Sequence, residues 1–217
     1  MALSKGDFIK LNYVARLEDG KVFDTTYEDV AKEHGIYSEN MRYGGDVVVL
    51  GAGHLLMGLE EDILARDVGY EGEVVIPPEK GFGDWRPELV KMFSITKFEN
   101  PVEGARVNIE GRIGTITKVI GRRVRVDFNN PFAGKTLIYH YKIEEKVEDE
   151  LEKVKGLICL YLNKDMKVEL ADKTVTIWVP TDMSYDIRWL RIKESLAKQI
   201  LEWTGIEKVI YAEEYTK

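Results

Sequence analysis

Within Lys135 to Glu144, Leu137, Tyr139 and Tyr141 stand at every second position. This run constrains the fold more than any other part of the chain. A period of two predicts a β-strand, and a lone strand cannot bury its apolar side. The stretch just before it, from Trp85 to about Asn130, is a different texture of short β-like runs: Arg106 to Ile109, Ile113 to Thr117 and Arg123 to Phe128, punctuated by Gly111, Gly114 and Gly121. After Glu148 the spacing turns helical. The matching β pattern lies far back, in Phe8 to Val14, in Lys21 to Phe23 after an Asp19-Gly20 turn, in Asp46 to Leu50, and in Glu73 to Ile76 closed by Pro77-Pro78. The returning strand therefore predicts a discontinuous first domain, residues 1–85 plus 131–149, with a small β-rich insert over 86–130.

Two helices are expected in the first domain, Tyr27 to His34 and Leu55 to Ala65, the second with Leu55, Leu56, Leu59 and Ile63 at helical spacing. Residues 150–217 read as a separate α/β domain. A helix from Glu148 to Asn163 precedes strands at Lys167 to Leu170 and Thr174 to Val179. A long helix from Tyr185 to Thr204 follows, stopped by Gly205, and Glu207 to Tyr215 is the last strand. Trp189, Ile192, Leu196, Ile200 and Trp203 share one stripe of the long helix, and Tyr185, Ile187 and Leu190 widen it. So wide a stripe exceeds what one small sheet covers, and it predicts a homodimer through this domain.

Several kinds of chemistry find no residues to carry them. The chain has 217 residues, 44% hydrophobic and 32% charged, in keeping with a soluble globular protein. Cys159 is the only cysteine, so an internal disulfide framework is excluded and a small buried apolar residue is expected there. No apolar run reaches the length of a membrane span. With no secretory pattern at the start, the cytoplasm is the expected compartment and the membrane is not a partner. His34, His54 and His140 are scattered and read as ordinary surface or core histidines, so no metal is expected. Gly51-Ala52-Gly53 follows a strand and opens a helix, but Leu56 stands where a dinucleotide fingerprint needs its third glycine, so no cofactor is expected. The net charge of −7 argues against nucleic acid as the main partner, although residues 101–130 carry six basic and three acidic side chains.

What remains is an apolar, aromatic set with one acid, Tyr13, Phe23, Asp24, Leu55, Leu56, Phe82 and Tyr139. By itself this could be an ordinary barrel core. Four segments carry a resemblance: Leu11 to Tyr13, Glu18 to Thr26, Leu50 to Glu60, and Ile76 to Gly83. In order and spacing they resemble the FKBP-type peptidyl-prolyl cis-trans isomerases. Val126 to Leu137 is similar to the reattachment point of the SlyD-like subgroup, which carries an insert-in-flap chaperone module. The added C-terminal domain resembles that of the long archaeal members. The resemblance implies an α+β fold, a half-barrel antiparallel sheet around a short helix with the insert and an α/β domain appended. It implies a proline pocket walled by Tyr13, Phe23, Leu55, Leu56, Leu59, Phe82 and Tyr139, with Asp24 as its acid and the Leu56 N–H as donor. Leu59 stands where eukaryotic members place a tryptophan floor, and Phe82 replaces a substrate-bonding tyrosine. Asp46 stands at a position usually apolar or aromatic, so that either Val48 fills the gap or the match slips by one residue there.

Isomerisation of an X–Pro bond needs no proton transfer, so the rate is expected to be flat between pH 6 and 8. The partners implied are unfolded or proline-containing polypeptides, with Met92, Phe93, Ile95 and Phe98 of the insert as client contacts. An alternative of another class is a non-catalytic holdase associated with the ribosome or RNA through Arg122 to Arg125.

Overall fold

The computed structural model describes residues 2–215. In chain order the elements are β1 (Phe8–Leu17), β2 (Val22–Thr25), α1 (Glu28–Glu33), β3 (Asp46–Val49), α2 (Met57–Leu64) and β4 (Glu71–Ile76). Next come β5 (Val90–Ser94), β6 (Arg106–Ile109), β7 (Arg112–Ile120), β8 (Arg123–Asp127) and β9 (Leu137–Lys146). The last are α3 (Glu150–Leu162), β10 (Lys167–Ala171), β11 (Thr174–Trp178), α4 (Ile187–Trp203) and β12 (Lys208–Ala212). Two compact units result, Met1–Ile76 with Leu137–Lys217, and Pro77–Thr136. Among the described residues no helix is long and apolar enough to cross a membrane.

In the first unit the returning strand finds its partners. β9 pairs antiparallel with β1 on one side and β4 on the other, and the excursion leaves and rejoins at the paired residues Ile76 and Leu137. β2 and β3 lie along the far edge of β1, completing a five-stranded sheet. Alternation sends Leu137, Tyr139, Tyr141 and Ile143 of β9 to one face, opposite Leu17, Ala15, Tyr13 and Leu11 of β1. That face buries Leu59 and Ile63 of α2. The opposite face of β1 and β3 turns Phe8, Val47 and Val49 toward α3, where they join the core of the C-terminal segment.

The C-terminal segment forms a three-stranded sheet, β10 antiparallel to β11 and β11 parallel to β12, with α4 as the crossover. Asp149 caps α3 by accepting the Glu152 N–H at 2.9 Å. Gly205 does not stop α4. Thr204 is the C-cap, its hydroxyl donating to the Ile200 carbonyl, and Gly205 has no positive φ. Trp189, Leu196 and Ile200 are buried, with Ile192 and Trp203 packed against the same core. Tyr185, Ile187 and Leu190 remain exposed.

The second unit is a four-stranded antiparallel sheet in the order β5, β8, β7, β6. Its inner face buries Ile116, Val124 and Val126. No expected run covers β5, because Lys91 interrupts its apolar residues and Met92 and Phe93 stand side by side, out of alternation.

Candidate active site

The inner face of the first unit's sheet gathers the aromatic set. Tyr13 sits mid-strand on β1. Two residues on, Ala15 has Tyr139 opposite on β9 and Asp24 opposite on β2, so a small side chain separates two large neighbours. The β1–β2 register shifts between Ala15 and Arg16, with Asp24 opposite the first and Val22 opposite the second. Phe23 is left over. A bulge of this kind re-aims a side chain, and Phe23 meets Tyr139 edge-on at 6.2 Å between ring centroids. Thus Phe23 and Asp24, adjacent in sequence, both come beside Tyr139. The Tyr13 and Tyr139 rings are tilted with centroids 5.5 Å apart.

Tyr13 donates its hydroxyl to Asp24 Oδ2 at 3.0 Å. Burial pushes the Asp24 carboxyl above the ordinary aspartate range, and the bonds from Tyr13 and the Thr25 N–H oppose this. Burial, then the charge of Asp24, raises both tyrosine hydroxyls, so they stay protonated and Tyr13 is a constant donor. Leu59 and Val48 are each 2% exposed, and Leu55 and Leu56 are partly buried in the loop that opens α2. Leu56 is the N-cap residue. Its carbonyl accepts the Glu60 N–H at 3.0 Å, and among the described residues its own N–H donates to no protein acceptor.

The structure brings Tyr13, Phe23, Asp24 and Tyr139 onto one face and buries Val48 and Leu59 in the same unit. Phe82 belongs to the second unit, where its ring lies 5.4 Å from that of Phe132. Met92 is exposed on the outer face of that unit's sheet, while Phe93, Ile95 and Phe98 pack against the insert's own core. Phe93 meets Phe98 and Phe128 edge-on.

One residue departs from the pattern that the resemblance implies. Asp46 lies opposite Leu11 on the inner face. Burial, then the charge of Asp24, pushes its carboxyl up to about 6. The signal that could have found it is the alternation of β3: Val47 and Val49 face the C-terminal core, so Asp46 and Val48 must face inward.

The histidines are structural or exposed. His54 accepts the Val49 N–H on Nδ1 at 3.1 Å and meets the Tyr161 ring edge-on, and burial lowers its pKa. His140 lies 3.9 Å from Glu71 on the exposed side of β9. Among the described residues no group of three or more histidine, cysteine or acidic side chains could hold a metal ion. A cavity of about 480 Å³ between α4 and β12, lined by Trp189, Leu190, Tyr211 and Glu213, includes none of the residues predicted for the pocket. The inner face thus sets tilted and edge-on aromatic rings beside a hydrogen-bonded carboxylate, in the same unit as an open backbone N–H at Leu56.

Residues 1–99 match the model of the FKBP-type peptidyl-prolyl cis-trans isomerase family. Residues 89–132 match an FKBP26 IF domain, and residues 150–216 an FKBP26 C-terminal region. A short-type peptidyl-prolyl cis-trans isomerase of Methanocaldococcus jannaschii is 38% identical over 155 residues, 69% of this chain and 98% of its own length. The SlyD isomerase of Treponema pallidum is 27% identical over 70% of this chain and 84% of its own length. An FKBP-type 16 kDa isomerase of Escherichia coli is 31% identical over 52% of this chain and 80% of its own length.

Proposed function

The chain belongs to the FKBP-type peptidyl-prolyl cis-trans isomerases, and from that premise we propose that the X–Pro amide rotates between Tyr13, Phe23, Leu55, Leu56 and Tyr139, over Leu59 and Val48. Rotation must break C–N resonance against a barrier of about 20 kcal/mol. The twisted amide is less polar than the planar one, so an apolar wall that excludes water favours it. A thousandfold acceleration needs only about 4 kcal/mol of such preference. The Leu56 N–H holds the peptide chain. Asp24, fixed by Tyr13, acts by position and charge and takes no proton. The observation that carries this reading is the ring cluster of Tyr13, Phe23 and Tyr139 around a hydrogen-bonded carboxylate. In a tetrapeptide isomerisation assay, Tyr139→Ala or Asp24→Leu is expected to lower kcat/KM by at least about tenfold, ~1.4 kcal/mol. Unchanged rates in both variants contradict it.

The insert then binds unfolded clients. Exposed Met92, Ile113 and Ile120 support this, being large apolar side chains on strands of one small sheet. One observation favours the holdase associated with the ribosome or RNA: Arg106, Lys118, Arg123 and Arg125 are exposed on three adjacent strands and make no ion pair among the described residues. Salt-sensitive RNA binding lost on changing Arg123 and Arg125 would support that reading. A homodimer through the C-terminal domain accords with exposed Tyr185, Ile187 and Leu190, and sedimentation of the intact chain against residues 1–149 tests it. A lone free cysteine fits a reducing cytoplasm, which cell fractionation tests.

A further inference from the structure

Along β1 the inner face presents Leu11, Tyr13 and Ala15 in succession, with Asp46 opposite the first and Asp24 opposite the third. The two carboxylates therefore flank Tyr13, their backbones four residues or roughly 13 Å apart along the strand. Their surroundings differ. Asp24 accepts the Tyr13 hydroxyl and a backbone N–H. Asp46 has no hydrogen bond or ion pair among the described residues, although it is partly buried. The titratable groups of its sheet face are Asp24 on β2, Tyr13 on β1, and Tyr139 and Tyr141 on β9, and the cation Arg66, just after the helix α2 that packs on that face, is engaged with Asp62, to which Tyr141 donates. Lys10 lies beside Val47 on the opposite face, the one against which α3 packs.

A carboxylate held from water, with a second carboxylate on the same face, is unfavourable unless a cation meets it. Asp46 is also too far along the strand to share Asp24's task on one amide. A residue next to the proline lies about 3.8 Å away along the peptide, and a lysine or arginine side chain adds enough reach to cover the remaining gap.

Resting on the isomerase reading, we infer that Asp46 is a specificity-determining residue that selects prolyl peptides with a lysine or arginine beside the proline. The selection requires the ionised carboxylate. Because burial and Asp24 raise Asp46 to about 6, the preference switches on as the pH rises through that region. A bound cation lowers the same pKa, so basic peptides release a proton on binding and neutral ones do not.

The test compares peptides carrying lysine with the same peptides carrying Nε-acetyl-lysine, placed just before or just after the proline. Both kcat/KM, in a protease-free assay, and Kd are measured on the full chain. The expected lysine preference is about tenfold near pH 7.5 and falls toward one near pH 5. In Asp46→Asn the ratio is expected near one at every pH, and Asp46→Glu is expected to restore it. A ratio unchanged in Asp46→Asn, or one independent of pH in the wild type, overturns the inference. If neither peptide is turned over, the isomerase reading falls, and the Kd ratios still decide the role of Asp46.

Discussion

At the residue scale the inner face mixes an aromatic cluster with a charge that folding would avoid. Ala15 makes room for Tyr139 and Asp24, and the bulge supplies Phe23. Asp46 is the unfavourable member. Its folded pKa lies above the ordinary value of 3.8, so as pH rises the unfolded chain gives up this proton first. Stability is therefore lost between about pH 4 and 6 and stays lost above that window. Asp46→Asn is expected to raise the unfolding free energy by about 1–3 kcal/mol near pH 7.5 and by little below about pH 4. Urea titrations at the two pH values measure this, and equal gains at both contradict it. The same group changes the pH expectation: a rate flat from pH 6 upward holds for neutral peptides, with an inflection near the lower end for basic ones. Tyr13, Asp24 and Tyr139 were legible from the sequence because their spacing matches a pattern. Asp46 was only noted as out of place, since one residue of register decides whether a side chain faces in or out.

At the element scale most strands and helices follow their periodicity to within a few residues. The exceptions have physical reasons. β5 does not alternate cleanly, since Lys91 shares the side of Phe93, and its partners come from β8, far along the chain. Gly205 suggested a glycine stop for α4, yet the Thr204 hydroxyl had already satisfied the Ile200 carbonyl. Nothing local announced how α3 would dock. At Gly156 an added Cβ would stand 2.5 Å from Val47 Cβ, so the glycine permits helix and strand to touch. Gly156→Ala gains about 1 kcal/mol of helix propensity. It loses more, because the obstructing atom is the rigid branch point of a valine, and overpacking of this kind costs about 1–3 kcal/mol. A net loss of stability is expected in denaturant titration, recovered in part by Val47→Ala in the same chain. A more stable single variant contradicts this contact.

At the scale of the whole molecule, the division of the chain around one returning strand was visible from sequence because that strand had no local partner. That the C-terminal core would continue onto Phe8 and Val49 was not visible, since those residues alternate as any strand does. In the proposed division of labour, one unit turns the proline bond while the insert holds the client. Replacing residues 87–129 by a short turn separates these roles. Tethering at a second site raises the local concentration of prolines at the pocket and does nothing for a tetrapeptide that the insert cannot hold. The most direct measurement is proline-limited refolding of a protein substrate beside tetrapeptide isomerisation, for the intact and the shortened chain. The prediction is that refolding catalysis drops by about one to two orders of magnitude while the tetrapeptide rate is largely retained. If both activities fall together, the insert is part of the catalytic pocket and the division of labour is wrong.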